Sequence, residues 1–310
     1  MVRNDRGISL IELLVAVAIT SVILIGALYV FLTQMRHSHT ERKIAQARSE
    51  VQVGENLMKR DILLAGYGLP NNLRAIIAGN SSSSHDSVTF IGNAFDASTG
   101  YGKWTFVMER AQFSHTVKVR RWNQDNISVG DNLIFLNDDK TLIDGPAQVT
   151  NLVETVGQDL DGDGSPDPAY DVTLNSSVSV ARGSFAYVIP VGGTPAVVTY
   201  TLDSLVLKRN GVPFLEPVED FQLAYGLDTD EDGRVDLWTN DVNSYNYGTL
   251  RKQLKLVRFN ILLRTGKYDP RYVYPHDQIT LEDRTIDVDS LGRHYRRAVL
   301  RTLAIPRNLK

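Results

Sequence analysis

From Leu13 to Met35 the chain carries no charged side chain. A run of about 20 apolar residues is long enough to cross a bilayer as a helix. This stretch therefore fixes one element and its solvent before anything else is considered. Arg3 and Arg6 lie on its N-terminal side, the placement expected of a cytoplasmic flank. A secretory signal peptide has a shorter apolar region that ends at a small-residue cleavage site. Here the run is longer, and a charged segment follows it. One carboxylate, Glu12, stands at its head. An acidic side chain within a membrane helix costs about 2.5–3.5 kcal/mol on insertion scales and is functional by default. A plain signal anchor leaves that carboxylate unexplained.

A short basic leader ending in Gly7, an apolar residue after it (Ile8) and a glutamate at Glu12 resemble a type IV prepilin processing site. The first mature residue of that family is most often Phe, so Ile8 is an apolar substitute. The resemblance implies cleavage after Gly7 by a prepilin peptidase and methylation of the new Ile8 amine. The chemistry is consistent with it. Cleavage exposes a cationic α-amine with an ordinary pKa near 8, and Glu12 is one helical turn away. A lone carboxylate in lipid is relieved by a cationic partner. In the family that partner is the terminal amine of a neighbouring subunit, which sets axial register in the filament. The other reading of Glu12 is a side chain at the headgroup level that reaches to water.

Beyond Met35, Ile44, Ala47, Val51, Gly54, Met58, Ile62 and Ala65 recur three or four residues apart. That is one apolar stripe on a helix. Gly66-Tyr67-Gly68-Leu69-Pro70 has the composition that ends one. The segment Met58 to Gly68 resembles the end of the long helix in PilW-type minor pilins and in the related J-type secretion pseudopilins.

Strands dominate after Asn71. Ser87–Ile91, Thr116–Trp122, Asn132–Leu136, Gln148–Val156, Phe185–Ile189, Val197–Leu202, Leu205–Arg209, Leu254–Arg264 and Arg297–Ile305 are β-branched or aromatic runs between turn residues. Asn210-Gly211 is a tight-hairpin signal. Strands in succession without intervening helices pair antiparallel. The fold class expected is α+β and pilin-like: one long N-terminal helix, transmembrane in its first half, packed on an antiparallel β-sheet head. The organisation expected is a leader (1–7), a transmembrane and filament-core helix (8–35), its amphipathic continuation (36–66) and a periplasmic or extracellular head (67–310). The chain has no cysteine, so a disulfide near the C-terminus, common in pilins, is absent, and another device must tie down the long loops.

Two stretches of the head share the pattern D-x-D-x-D-G-x-x-D: Asp159, Asp161, Asp163 and Asp167, and Asp228, Asp230, Asp232 and Asp236. Carboxylates at positions 1, 3, 5 and 9, with glycine at 6, match the front of an EF-hand-type calcium loop. The bidentate acid of position 12 is missing, since Tyr170 and Thr239 stand there. Asp171, one place later, and Asp241, two places later, are its candidate substitutes. The alternative for each loop is a solvated Asp-Gly turn. Calcium is the cofactor these loops imply.

No G-x-S-x-G, P-loop or H-E-x-x-H pattern occurs, and Ser84-His85-Asp86 are contiguous, whereas a catalytic triad is a spatial arrangement. No enzymatic role is expected. A formal net charge of −3 is not that of a nucleic-acid-binding chain. The resemblance implies a structural minor pilin that primes pilus assembly or sits at the filament tip, held in the inner membrane with its head in the periplasm before assembly. Its partners would be other minor and major pilins through the N-terminal helix, the prepilin peptidase and the inner-membrane assembly platform. Two alternatives are a J-type pseudopilin at the tip of a type II secretion pseudopilus and a membrane-anchored, calcium-dependent adhesin.

Overall fold

The computed structural model describes residues 10–95, 102–124, 126–160, 162–190, 194–264 and 268–309, with residues 12, 33 and 36–50 described by their backbone alone. Helix α1 runs from Leu10 to Leu64. The chain divides into two compact units, residues 1–53 and 54–310.

In the first unit, the span Leu13–Leu32 is apolar enough to cross a membrane, and no part of it is buried by protein. Two of its hydroxyls, those of Thr20 and Ser21, are satisfied within the helix. Thr20 Oγ1 donates to the Ala16 carbonyl and Ser21 Oγ to that of Val17, each at 2.7 Å. In hydrocarbon an unsatisfied polar group costs several kcal/mol, and bonding to the carbonyl one turn back removes that cost.

In the second unit, the last turns of α1 bury Gly54, Met58, Asp61 and Ile62. These residues share one face because they recur at three- and four-residue steps. The helix stops where Gly66 and Gly68 take φ of 83° and 64°, left-handed values that other residues adopt only with strain.

Among the described residues the strands form four antiparallel sheets. The first has the order β1-β2-β9-β10-β11, built from β1 (Ile76–Gly79), β2 (Ser87–Ile91), β9 (Val197–Asp203), β10 (Val206–Arg209) and β11 (Val212–Leu215). Asn210 and Gly211, at φ 51° and 77°, make the tight turn between β10 and β11. The second sheet has the order β13-β12-β14-β17, from β12 (Val218–Leu227), β13 (Leu237–Thr239), β14 (Leu254–Arg264) and β17 (Arg297–Ala304). A short helix, α2 (Tyr247–Gln253), leads into β14. Strands β15 (Gln278–Leu281) and β16 (Arg284–Asp287) pair with each other.

The remaining six strands have the order β3-β8-β5-β6-β7-β4: β3 (Trp104–Phe106), β4 (Ala111–Arg120), β5 (Asn132–Leu136), β6 (Leu142–Val156), β7 (Pro168–Val180) and β8 (Phe185–Ile189). Its two edges meet. Val107, just past β3, bridges Val119 of β4, and the Met108 amide donates to the Lys118 carbonyl at 2.9 Å. The sheet therefore closes into a small barrel, which removes its free edges. Val117, Val119, Leu133, Phe135, Val149, Val172 and Val188 fill its core. The barrel is inserted between β2 and β9, which are neighbours in the first sheet, and the Gly92 amide bonds the Ala196 carbonyl at 3.0 Å where the chain leaves and returns.

The α+β class, with an N-terminal helix and an antiparallel body, holds. The body, however, is not one sheet but two sheets, a paired hairpin and an inserted barrel. Strand β7 went unread because Pro168 opens it and Asn175-Ser176-Ser177 interrupts it with turn-forming residues. Long pairing with β4 and β6 overrides that local preference.

Candidate functional sites: the apolar helix and the acidic loops

Gly7 and Ile8 lie outside the described residues, and Glu12 is placed by its backbone alone, in the first turn of α1. Downstream of it runs the uncovered span Leu13–Leu32.

The two acidic loops occupy different settings. The first joins β6 to β7 at one end of the barrel. Asp161 lies outside the described residues. Asp159 turns inward, its Oδ1 accepting the Gly162 amide at 2.7 Å and its Oδ2 that of Gly164 at 2.9 Å. Asp163 accepts the Ser165 amide at 2.7 Å. Asp167 is buried and committed elsewhere: Oδ2 accepts the Leu160 amide at 2.9 Å, and Oδ1 pairs with the Arg120 guanidinium of β4 at 2.9 Å. Asp171 sits within β7, opposite Lys118.

The second loop joins β12 to β13 and is closed at its base by the Asp236 amide, which donates to the Leu227 carbonyl at 3.0 Å. Here the structure does gather carboxylates. Asp228, Asp230 and Asp236 each present an oxygen, and these oxygens lie within 4.8 Å of one another. Asp228 is fully buried, whereas Asp230 and Asp236 are exposed. The Asp228 Oδ2 accepts the Gly233 amide at 3.0 Å and pairs with the Lys255 ammonium at 2.7 Å. The Lys255 bond, aided by the amide, holds this carboxyl below its ordinary range despite burial. Asp236 accepts the Thr229 amide and hydroxyl, and Thr229 holds its carboxyl below the ordinary range. Asp232 stands aside from the group, capping the Arg234 amide at 2.8 Å. Asp241 likewise accepts the Asn243 amide at 2.8 Å and does not join it. Gly233, at φ 92°, supplies the sharp turn.

Residues 2–28 match the family model of the prokaryotic N-terminal methylation motif, and residues 186–308 match that of the type IV pilus-assembly protein W, PilW. The two matches support a type IV pilin-like protein of the PilW family. No curated protein and no solved structure matches it. Both families are structural assembly families, and this PilW-family chain is a type IV pilus-related minor pilin. Such a protein interacts with other pilins and with the assembly machinery. Its methylation motif and apolar helix fit membrane anchoring and association with the pilus. The PilW match takes in the first and second sheets from β9 onward and includes the loop at Asp228–Asp236, while most of the barrel and its loop at Asp159–Asp167 precede it.

One site of this PilW-family head gave no distinct signal in the sequence. Asp61, only 2% exposed, accepts the Tyr200 hydroxyl at 2.6 Å and the Arg209 Nε and Nη2 at 2.7 and 3.0 Å. It joins the last turn of α1 to β9 and β10. In the sequence it is one charge among many on a charged helix. Its position within the apolar stripe, next to Ile62, was the available signal.

Proposed function

We propose that this minor pilin primes assembly of a type IV pilus and occupies the filament tip. The prepilin peptidase cuts after Gly7, and the new Ile8 amine is methylated. Glu12 receives the amine of an adjacent subunit, which fixes axial register. Before assembly the helix sits in the inner membrane against the assembly platform, with the head in the periplasm. Afterwards the same apolar surface packs among the helices of other minor and major pilins.

The observation that carries this reading is the joint occurrence, on one chain, of the methylation motif over 2–28 and the PilW match over 186–308. The bare span Leu13–Leu32 supports it, because such a surface needs lipid or other helices around it. The PilW match favours a pilus over a secretion pseudopilus.

The test is made in piliated cells. The mature protein should have the mass of a chain that begins at methylated Ile8, and Gly7→Glu should leave the leader attached. Glu12→Val should insert into the membrane at least as well as the native chain but enter filaments poorly. An antibody to the head should mark one end of each filament, and loss of the protein should lower the number of filaments. An intact Met1 in the presence of active peptidase, or label spread evenly along filaments, would defeat the proposal.

A further inference from the structure

We propose that the loop from Asp228 to Asp236 is a calcium site built from Asp228, Asp230 and Asp236, and that the similarly spaced loop at Asp159–Asp167 is not its equal. Calcium takes oxygen ligands at about 2.3–2.6 Å. Two oxygens on one ion can then be no farther apart than about twice that distance, close to 4.8 Å. The three carboxylate oxygens meet that limit in every pairing.

Acidic groups alone would not carry the inference, because exposed ones are often solvated. Asp228 is different. It is fully buried, and its Oδ1 has no hydrogen-bond partner among the described residues. A buried carboxylate oxygen without a partner is destabilising, because the water it gave up is not replaced. Its Oδ2 is already occupied by Lys255 and Gly233. The oxygen left over belongs to the buried cluster member, beside two exposed acids, of which Asp236 is held by Thr229 and Asp230 accepts the Asp232 amide. A hard cation seated among the three supplies what Oδ1 lacks.

Charge agrees with this. Lys255 offsets one carboxylate, so Asp228, Asp230 and Asp236 retain about two negative charges, the complement of a divalent ion. The missing acid at position 12 leaves the remaining coordination to water and to loop oxygens, and this points to the weak affinities of extracellular modules, Kd about 10⁻⁴–10⁻³ M. Magnesium needs ligands at about 2.0–2.1 Å in a near-ideal octahedron. Asp228, held by Lys255 and Gly233, cannot close in to meet it. In the loop at Asp159–Asp167 the same spacing leads elsewhere: Asp167 is paired with Arg120, and both oxygens of Asp159 accept loop amides.

The full-length protein in detergent is titrated with CaCl₂ by calorimetry and, separately, with terbium, whose emission is excited through Trp238 two residues beyond Asp236. One site in the stated range is expected, with calcium displacing terbium and magnesium doing so poorly. Asp230→Asn, at an exposed position that leaves the fold alone, should weaken calcium at least about tenfold. Trp238→Phe should abolish the terbium signal but not the calcium heat. Asp163→Asn in the barrel loop should change neither. Absence of binding at about 10 mM calcium by a protein with native circular dichroism would overturn the proposal. So would binding that survives Asp230→Asn and disappears with Asp163→Asn.

Discussion

Replacing Asp61 by alanine should be the most destabilising surface-to-core change in the head outside its apolar core. The side chain is buried and receives three hydrogen bonds, two of them from the Arg209 guanidinium. Burial, with Asp61 as the next cause, keeps the Tyr200 phenol well above its ordinary titration range, and the Asp61 bond raises Arg209 as well. The phenol therefore stays neutral and the guanidinium charged. Removing one partner of a buried pair costs about 3–5 kcal/mol, because the other is left uncompensated. The Arg209 side chain is 29% exposed and can reach water, so the lower end, about 3 kcal/mol, applies. For a body of this size each kcal/mol moves the melting temperature by about 2–4 °C, which gives a fall of roughly 6–12 °C. Scanning calorimetry of the full-length protein in detergent measures it. The triple change Asp61→Leu, Tyr200→Phe, Arg209→Met removes every polar member and should recover to within about 1 kcal/mol of the native chain. Melting of Asp61→Ala within about 2 °C of the native value would refute the reasoning, as would a triple variant no better than the single one.

Two glycines should respond in opposite directions. Gly54→Ala places a methyl 3.5 Å from the Phe214 ring, an ordinary contact, and should stabilise the helix by about 1 kcal/mol. Gly66→Ala must hold φ near 83° with its methyl 2.7 Å from the Asn308 carbonyl, and should cost at least about 2 kcal/mol; urea melts of both compare them. Asp86 supplies a pH dependence. Burial raises its pKa to about 6, against the Leu223 and Ser81 amides it accepts, with Asp283 and Asp220 adding to the rise. A folded value above the unfolded one means that this group's contribution is complete below about pH 4 and is lost as pH climbs through about 6, some 2–3 kcal/mol in all. The difference in unfolding free energy between native chain and Asp86→Asn should therefore change across pH 4–7 and be flat above it; a constant difference throughout would contradict the assignment.

How much of this was legible in advance depends on where each pattern is recorded. The apolar helical span was, since length and lack of charge are local properties. So was β14, in which Val257, Phe259 and Ile261 point one way and pack in the core. Strand β12 was not read as a strand, because Asp220 through Leu227 are all buried and a strand covered on both faces has no alternation to show. The barrel was invisible as a barrel. Its closure rests on Val107 meeting Val119 and on β3 and β4 lying at opposite ends of the strand order, facts of pairing rather than of composition. The acidic loops show the limit most clearly. Their spacing is identical in sequence, yet Arg120, far from the loop in sequence, pairs with Asp167 in one, while in the other Lys255 pairs with Asp228 through Oδ2 and leaves Oδ1 without a hydrogen bond among the described residues.

The absence of cysteine is answered by cations. Near the C-terminus the chain returns to the end of α1, and three polar side chains hold it there. Lys140 donates to the Asn308 carbonyl at 2.5 Å, and Asn308 Nδ2 donates to the Leu63 carbonyl at 2.5 Å. Arg251, buried in α2, donates to the carbonyls of Leu69, Pro70 and Leu309. These acceptors are neutral, and burial lowers Arg251, while burial and the nearby Arg251 bring Lys140 down to about 8. Hydrogen bonds to a charged group are worth about 1.5–3 kcal/mol each. The four such bonds exceed the 2–5 kcal/mol typical of a structural disulfide before the desolvation of the two cations is subtracted. The tie therefore does not depend on an oxidising compartment. It joins the three places where the chain changes element: the end of α1, the start of β14 and the last residues after β17. Gly66 must lie against the Asn308 carbonyl for the same reason: the C-terminal turn is packed onto the glycine that ends the helix.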